Sequence, residues 1–419
     1  MELVRIFGLP AALLVLAFVA NRLSKLTRVP DVIVLLLIGV TLGPILHWVN
    51  PEAFKGAVHI LGMLALILIL FEGGLELRLR QALRYFPAGL LLVVLSFGLS
   101  MGLIALVGRP LLHLAWSDCL LLGATLGCTS GAIVIPALQQ IAAPEPVKIV
   151  LTIEAALGEV IAVLIVGSML HMALSQSLLS GIAADFSHHL LGALIVGVGV
   201  GVIWSSLWPL VAGLPYCNIL NLGVVLGVFA VARYVGGSGL LGELVFGITL
   251  ANLPRTPHMA RQGARMLAFH AELSFLVRSF FFVMLGVVAQ FIGRKYLVPI
   301  LGILAALLLA RYLAVQVSWR AVRDVTRKQT ELLFWMLPRG LVTAVLALEI
   351  VDARGAVFAF LPAMAFTVVL VTNLFIVWGA VKSGQAEVAE PPLPEKAFAM
   401  AASQSGAAQL APPSQTEPS

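Results

Sequence analysis

Apolar runs follow one another along almost the whole chain, separated by short segments that carry most of its Arg and Lys. Each run is about 17–25 residues long, the length a helix needs to cross a hydrocarbon core of about 30 Å. Lipid offers no partner for backbone N–H and C=O groups, so such runs read as helices that satisfy their own backbone. The pattern predicts about thirteen spans. The first seven cover 4–21, 32–49, 58–76, 87–108, 116–140, 147–173 and 189–212. The remainder cover 217–235, 238–253, 267–291, 296–318, 331–351 and 356–381. The first run lacks a convincing small-residue cleavage site and reads as a retained helix. The chain thus divides into an all-α polytopic transmembrane domain over 1–382 and a tail over 383–419. The tail is rich in Pro, Ala, Gln and Ser and is expected to be disordered.

Three places break the apolar pattern. The sixth span carries two glutamates, Glu154 and Glu159. An ionised carboxylate in hydrocarbon costs at least a few kcal/mol, so such groups usually line a polar cavity and act there. The fifth span contains Gly127-Cys128-Thr129-Ser130-Gly131 and then Pro136, and the twelfth contains Pro338-Arg339-Gly340. Gly and Pro disfavour a continuous helix. A broken helix frees backbone groups at membrane depth, which is tolerated where they line a cavity.

The two broken spans also correspond in a repeat. Ile38-Gly39-Val40-Thr41-Leu42 in span two is echoed by Phe246-Gly247-Ile248-Thr249-Leu250 in span nine. Spans seven apart cross the membrane in opposite directions. The echo therefore predicts inverted repeats of six spans, about 1–173 and 217–382, with span seven as connector and two crossed discontinuous helices. Inverted repeats with a midplane site mark secondary transporters. Orientation follows from loop charge. Odd-numbered loops hold fourteen Lys and Arg, among them Arg22, Arg78, Lys148 and Arg320, against six in even-numbered loops. The amino terminus is expected outside and the tail in the cytoplasm.

Composition agrees. The chain is 60% hydrophobic and 11% charged, where a soluble domain carries about 25% charged residues. A formal net charge of +6 sits in inter-span loops, so it carries no nucleic-acid reading. Cys119, Cys128 and Cys217 form no disulfide framework and no metal-ligand spacing. Gly197-Val198-Gly199-Val200-Gly201 lies inside a span with no strand before it, so it is not a dinucleotide loop. Its four-residue glycine spacing fits close helix packing. No phosphate loop supports ATP-driven transport. No cofactor and no enzymatic activity are expected.

Several blocks, in order, resemble the monovalent cation/proton antiporter superfamily, that of sodium/proton exchangers, most closely its NhaP-like branch. Arg28-Val29-Pro30-Asp31 through Gly39-Val40-Thr41-Leu42-Gly43-Pro44 is similar to the family's second span. Phe71-Glu72-Gly73-Gly74-Leu75-Glu76-Leu77 is similar to its third. The run from Ser274 to Phe282, followed by Leu285-Gly286, is similar to the tenth, and Pro338-Arg339-Gly340-Leu341-Val342 to the twelfth. The ion motif departs from the family's. Thr129-Ser130-Gly131 stands where Thr-Asp-Pro is usual. Glu154-Ala155-Ala156-Leu157-Gly158-Glu159 stands where Glu-Ser-x-x-Asn-Asp is usual.

The resemblance implies an inner-membrane, secondary-active antiporter, a homodimer whose ion-carrying core moves past a dimerisation domain. An exchanger needs a group that takes either a proton or a cation. Burial moves a carboxylate's proton affinity toward the working range, and hard cations prefer oxygen ligands. Glu159, with the hydroxyls of Thr129 and Ser130, is the expected proton and cation site, with Na⁺ as the expected cation and one-for-one, electroneutral exchange. Potassium/proton exchange and a non-transporting sensor or assembly partner are the alternatives. The resemblance implies that Glu154 is instead held by an arginine. Residues 154 and 159 are separated by roughly 140° around a helix, so they need not share a site. Arg339, Arg311 and Arg278 are the candidate partners, with Arg339 leading because it lies at the span-twelve break. Arg278 is also a candidate modulator that competes with the ion or stabilises the core. Glu72 and Glu243 are candidates for an access funnel, with a plain placement near an interface as the commoner reading, and His270 reads as structural.

Overall fold

The computed structural model describes residues 2–27, 31–49, 55–140, 143–171, 178–211, 213–253, 257–289, 291–321 and 327–382. The tail over 383–419 and the Arg28-Val29-Pro30 part of the second-span motif lie outside the described residues. Among the described residues the fold is all-helical. The first half comprises α1 (Glu2–Thr27), α2 (Asp31–Val40), α3 (Lys55–Glu76), α4 (Leu79–Leu112), α5 (Trp116–Gly127), α6 (Gly131–Gln140) and α7 (Glu145–His171). Next come α8 (Leu178–Val211), α9 (Cys217–Tyr234), α10 (Gly239–Asn252), α11 (Pro257–Val287) and α12 (Leu297–Ser318). The chain closes with α13 (Arg327–Trp335), α14 (Leu341–Arg354) and α15 (Leu361–Lys382).

Among the described residues, the apolar runs fall largely on helices, two of them on pairs of half-helices. Among the described residues, 7 helices are long and apolar enough to cross a membrane, and shorter apolar helices accompany them. This is a multi-pass membrane protein. Helices α4, α8 and α11 begin well before the runs that predicted them. The apolar pattern marks only the part of a helix in hydrocarbon, whereas the hydrogen-bonded backbone continues beyond it. In α4 the helix passes straight through Pro87. The fifth span breaks at 128–130, and α6 continues through Pro136. The twelfth breaks at 336–340.

The helices sort into two packed groups. In one, α4 packs on α5, α7 and α12, while α14 packs on α5, α7 and α15. In the other, α10 packs on α3, α8 and α9, and α11 on α1, α2 and α3. Two close crossings in the second group depend on glycine. A Cβ on Gly39 would lie 2.8 Å from the Gly286 Cα, where α2 meets α11. A Cβ on Gly74 would lie 3.0 Å from the Gly247 Cα, where α3 meets α10. Gly39 and Gly247 hold the same place in the sequence echo, and each faces a glycine of the other half. Gly197 and Gly201 seat α8 against Gly242, Val245 and Thr249 of α10, as their spacing predicts.

Candidate functional site

The two helix breaks meet. The Ser130 N–H donates to the Pro338 carbonyl at 2.9 Å. Gly340 lies so close to Ser130 that a Cβ there would collide with the serine hydroxyl and come within 2.8 Å of Ile133 Cδ1. Arg339 Nη1 donates to Thr129 Oγ1 at 3.0 Å. The Arg339 backbone is anchored in turn by α15: its N–H donates to Thr372 Oγ1 at 3.0 Å, and its carbonyl accepts from Asn373 Nδ2 at 3.0 Å. Such breaks leave helix-end N–H and C=O groups without intrahelical partners. Side chains from α7 and α12 supply some of those partners.

Glu159 serves the start of α6. Its Oε1 accepts from the Gly131 N–H at 2.9 Å and from Ser130 Oγ at 3.3 Å. A carboxylate is favoured there, because the N-terminal end of a helix carries partial positive charge. Glu159 is 0% exposed. Its Oε2 is buried and has no hydrogen-bond partner among the described residues.

Glu154 is bound differently. Arg311 of α12 forms an ion pair with Glu154 through Nη1 and Oε1. The same guanidinium donates through Nη1 to Ser96 Oγ at 3.2 Å, through Nε to the Leu333 carbonyl at 2.8 Å and through Nη2 to the Met336 carbonyl at 2.7 Å. Leu333 lies in the last turn of α13 and Met336 directly after it, where carbonyls lack helical partners and a cation is favoured. Arg339, the leading partner on sequence, therefore does not hold Glu154 directly. It reaches the acid only through Thr129, whose hydroxyl also donates to Glu154 Oε1 at 3.2 Å. Proximity to the break was the wrong guide. The fork of Arg311 reaches both the acid and the carbonyls of Leu333 and Met336 at once, and Nη1 of Arg339 ends at the threonine.

The two acids also lie closer in function than their helical angle suggests. Gly158 lies roughly 40° from Glu154 on α7, between the two acids. A Cβ at Gly158 would come within 3.9 Å of the Thr129 backbone nitrogen. The break thus crosses α7 over Gly158, and its successive residues address Glu154 on one side and Glu159 on the other.

Arg278 lies elsewhere. Its Nη2 pairs with Asp31 Oδ2 at 2.8 Å and ties α11 to α2, so it is a strut of the second helix group. Asp31 stood in the sequence motif without a role. Its partner is far along the chain, and only the packing of α2 on α11 discloses it. Glu243, read as a funnel edge, is fully buried in α10, and neither carboxylate oxygen has a hydrogen-bond partner among the described residues. His270 sits in a buried chain: Trp204 Nε1 donates to Asn221 Oδ1 at 2.7 Å, and Asn221 Nδ2 lies 2.7 Å from His270 Nε2. Ser96, Thr372 and Asn373 are polar residues inside predicted spans and Asp31 directly precedes one, a signal that marks candidates without naming partners.

A family model described as sodium/hydrogen exchanger, transmembrane, matches residues 11–381. The chain is 26% identical over 273 residues to the ammonium/H(+) antiporter subunit AmhT of Alkalihalophilus pseudofirmus, covering 63% of this chain and 67% of that protein. It is 28% identical over 350 residues to the K(+)/H(+) antiporter NhaP of Alkalimonas amylolytica, covering 80% of this chain and 58% of that protein. Its fold is similar to the solved structure of the sodium proton antiporter MjNhaP1 from Methanocaldococcus jannaschii. That match has a TM-score of 0.70 at 20% identity and covers 95% of this chain and 100% of that one.

Proposed function

The chain belongs to the sodium/hydrogen exchanger family, a family of membrane cation/proton antiporters, and from that premise we propose that it exchanges Na⁺ for protons one for one, with Glu159 as the shared carrier. The observation that carries this reading is the pair of unlike acids on α7. Glu154 is neutralised by Arg311. Glu159 has one oxygen held at the start of α6 by N–H and O–H donors in place of a guanidinium, and its other oxygen, like Glu154 Oε2, is buried without a partner among the described residues. A buried carboxylate oxygen left in that state is costly until a proton or a cation serves it. Ser130 lies beside it and offers a further oxygen ligand, the donor type a hard cation takes, whereas the Thr129 hydroxyl, expected in the same set, is engaged by Arg339 and Glu154.

Charge bookkeeping supports electroneutral exchange. Glu154 and Arg311 cancel. Adding a proton or a monovalent cation to Glu159 raises the site by the same single charge. Both loaded forms therefore move equal charge in opposite directions, and a full cycle transfers none. In this reading the group built on α4–α7 and α12–α15 is the moving core, and the group built on α1–α3 and α9–α11 is the dimerisation scaffold of a homodimer in the inner membrane. Helix α8 connects two inverted repeats, about 1–173 and 217–382, with the amino terminus outside and the tail cytoplasmic. The equivalent glycine crossings at Gly39 and Gly247 support the repeat.

Potassium is the second reading, favoured by the K(+)/H(+) name of the Alkalimonas relative. Proteoliposomes carrying the protein separate the two when proton movement is followed on addition of Na⁺, Li⁺ or K⁺. The expected result is Na⁺-dependent flux that neither generates nor follows a membrane potential. A flux driven by K⁺ alone selects the second reading. Absence of flux with all three ions contradicts both and leaves the sensor or assembly role.

A further inference from the structure

We propose that Gly131 is a specificity-determining residue of the site: its missing side chain leaves the space in which Glu159 Oε2 meets the cation, and its N–H fixes the other oxygen. This inference rests on Glu159 being the carrier. The geometry assigns the two oxygens different tasks. Oε1 accepts both the Gly131 N–H at 2.9 Å and the Ser130 hydroxyl at 3.3 Å. Oε2 is the atom left over, buried and unpartnered among the described residues. A Cβ at position 131 would lie 3.2 Å from Oε2, against 3.6 Å from Cδ and 3.7 Å from Oε1. The methyl of an alanine would therefore press on the Glu159 oxygen that has no partner among the described residues.

The length of the acid and the absence of a side chain at 131 are matched. Glutamate reaches the first N–H of α6 from α7 because nothing projects from Gly131 into its path. Aspartate, one methylene shorter, would fall back from that N–H but would also make room for a methyl. Gly131 thus acts through Glu159 as a positioning residue. The consequence is size-selective. A methyl against Oε2 hinders a large, partly dehydrated ion such as K⁺ more than Na⁺, and Na⁺ more than Li⁺, while a proton needs no comparable space.

The experiment is cation-dependent proton flux in proteoliposomes for the wild type, Gly131→Ala, Glu159→Asp, the double variant of these two, and Glu159→Gln. Gly223→Ala, which meets nothing within 4 Å on α9, controls for handling. Overpacking by one methyl corresponds to roughly a five- to hundredfold change in an equilibrium. Gly131→Ala is expected to raise the half-saturating Na⁺ concentration within that range, and to raise that of K⁺ further than that of Li⁺. The double variant is expected to bind Na⁺ more tightly than the product of the two single effects predicts, the signature of direct coupling. Equal shifts for Li⁺, Na⁺ and K⁺, or single effects that simply multiply, overturn the proposal. If Gly131→Ala fails to assemble, the double variant decides: recovered assembly and transport support the steric match, and continued failure refutes it. Flux that survives Glu159→Gln removes the carrier reading itself. An unaltered Gly131→Ala alongside a dead Glu159→Gln removes only the inference about Gly131.

Discussion

Replacing Arg311 with methionine tests what holds the broken spans together. Arg311 is 1% exposed and makes four interactions: the ion pair to Glu154, a bond to Ser96, and bonds to the Leu333 and Met336 carbonyls. Methionine fills much of the volume but supplies no donor. The loss leaves Glu154 as an uncompensated buried charge, which costs roughly 3–5 kcal/mol. Leaving buried carbonyls unsatisfied adds about 1–3 kcal/mol for each one that water does not reach. Domain stabilities are about 5–15 kcal/mol, so Arg311→Met should remove a large fraction of the total. Thermal denaturation in detergent, read by loss of the monodisperse peak in size-exclusion chromatography, is the assay. The double variant Glu154→Gln with Arg311→Met removes the stranded charge and should recover part of the loss. Arg339→Met should cost less than Arg311→Met, because Arg339 meets Glu154 only through Thr129. If Arg311→Met melts with the wild type, or if the double variant is no more stable than Arg311→Met, the neutralised-strut assignment is wrong.

Gly340→Ala should disrupt the crossing of the two breaks, since its Cβ would meet Ser130 Oγ and Ile133. The expected penalty is roughly 1–3 kcal/mol of overpacking, seen as a lower melting temperature together with weakened Na⁺-dependent flux. Arg278→Gln leaves Asp31 without its partner and should destabilise the protein by up to roughly 3–5 kcal/mol. Its half-saturating Na⁺ concentration should stay at the wild-type value, and a selective shift in that concentration would instead place Arg278 in ion competition.

The periodicity of apolar runs carried the helical architecture, because lipid forces the backbone to satisfy itself and leaves long unmixed runs as the trace. The breaks at 128–130 and 336–340 were legible for the same reason: Gly and Pro inside an apolar run are conspicuous. What pairs with what was not legible. The choice among Arg339, Arg311 and Arg278 depended on how far each guanidinium lies from Glu154 across three different helix contacts, and no spacing along the chain encodes that. The burial of Glu243 escaped for a related reason. Its short run in α10 looks interfacial by length, yet α3, α8 and α9 enclose it. The reach of Glu159 to Gly131 likewise depends on α7 passing beside the start of α6, a tertiary fact.

The central claim is that one carboxylate, Glu159, is shared between the proton and the cation. Proton release on Na⁺ binding measures this directly, in weakly buffered detergent solution with a pH-sensitive dye and with bound Na⁺ counted in parallel. The expected result is about one proton released per Na⁺ bound when the acid starts protonated, and neither release nor saturable binding for Glu159→Gln. Proton release that persists in Glu159→Gln, or Na⁺ binding by the wild type with no proton released at any pH, would contradict it.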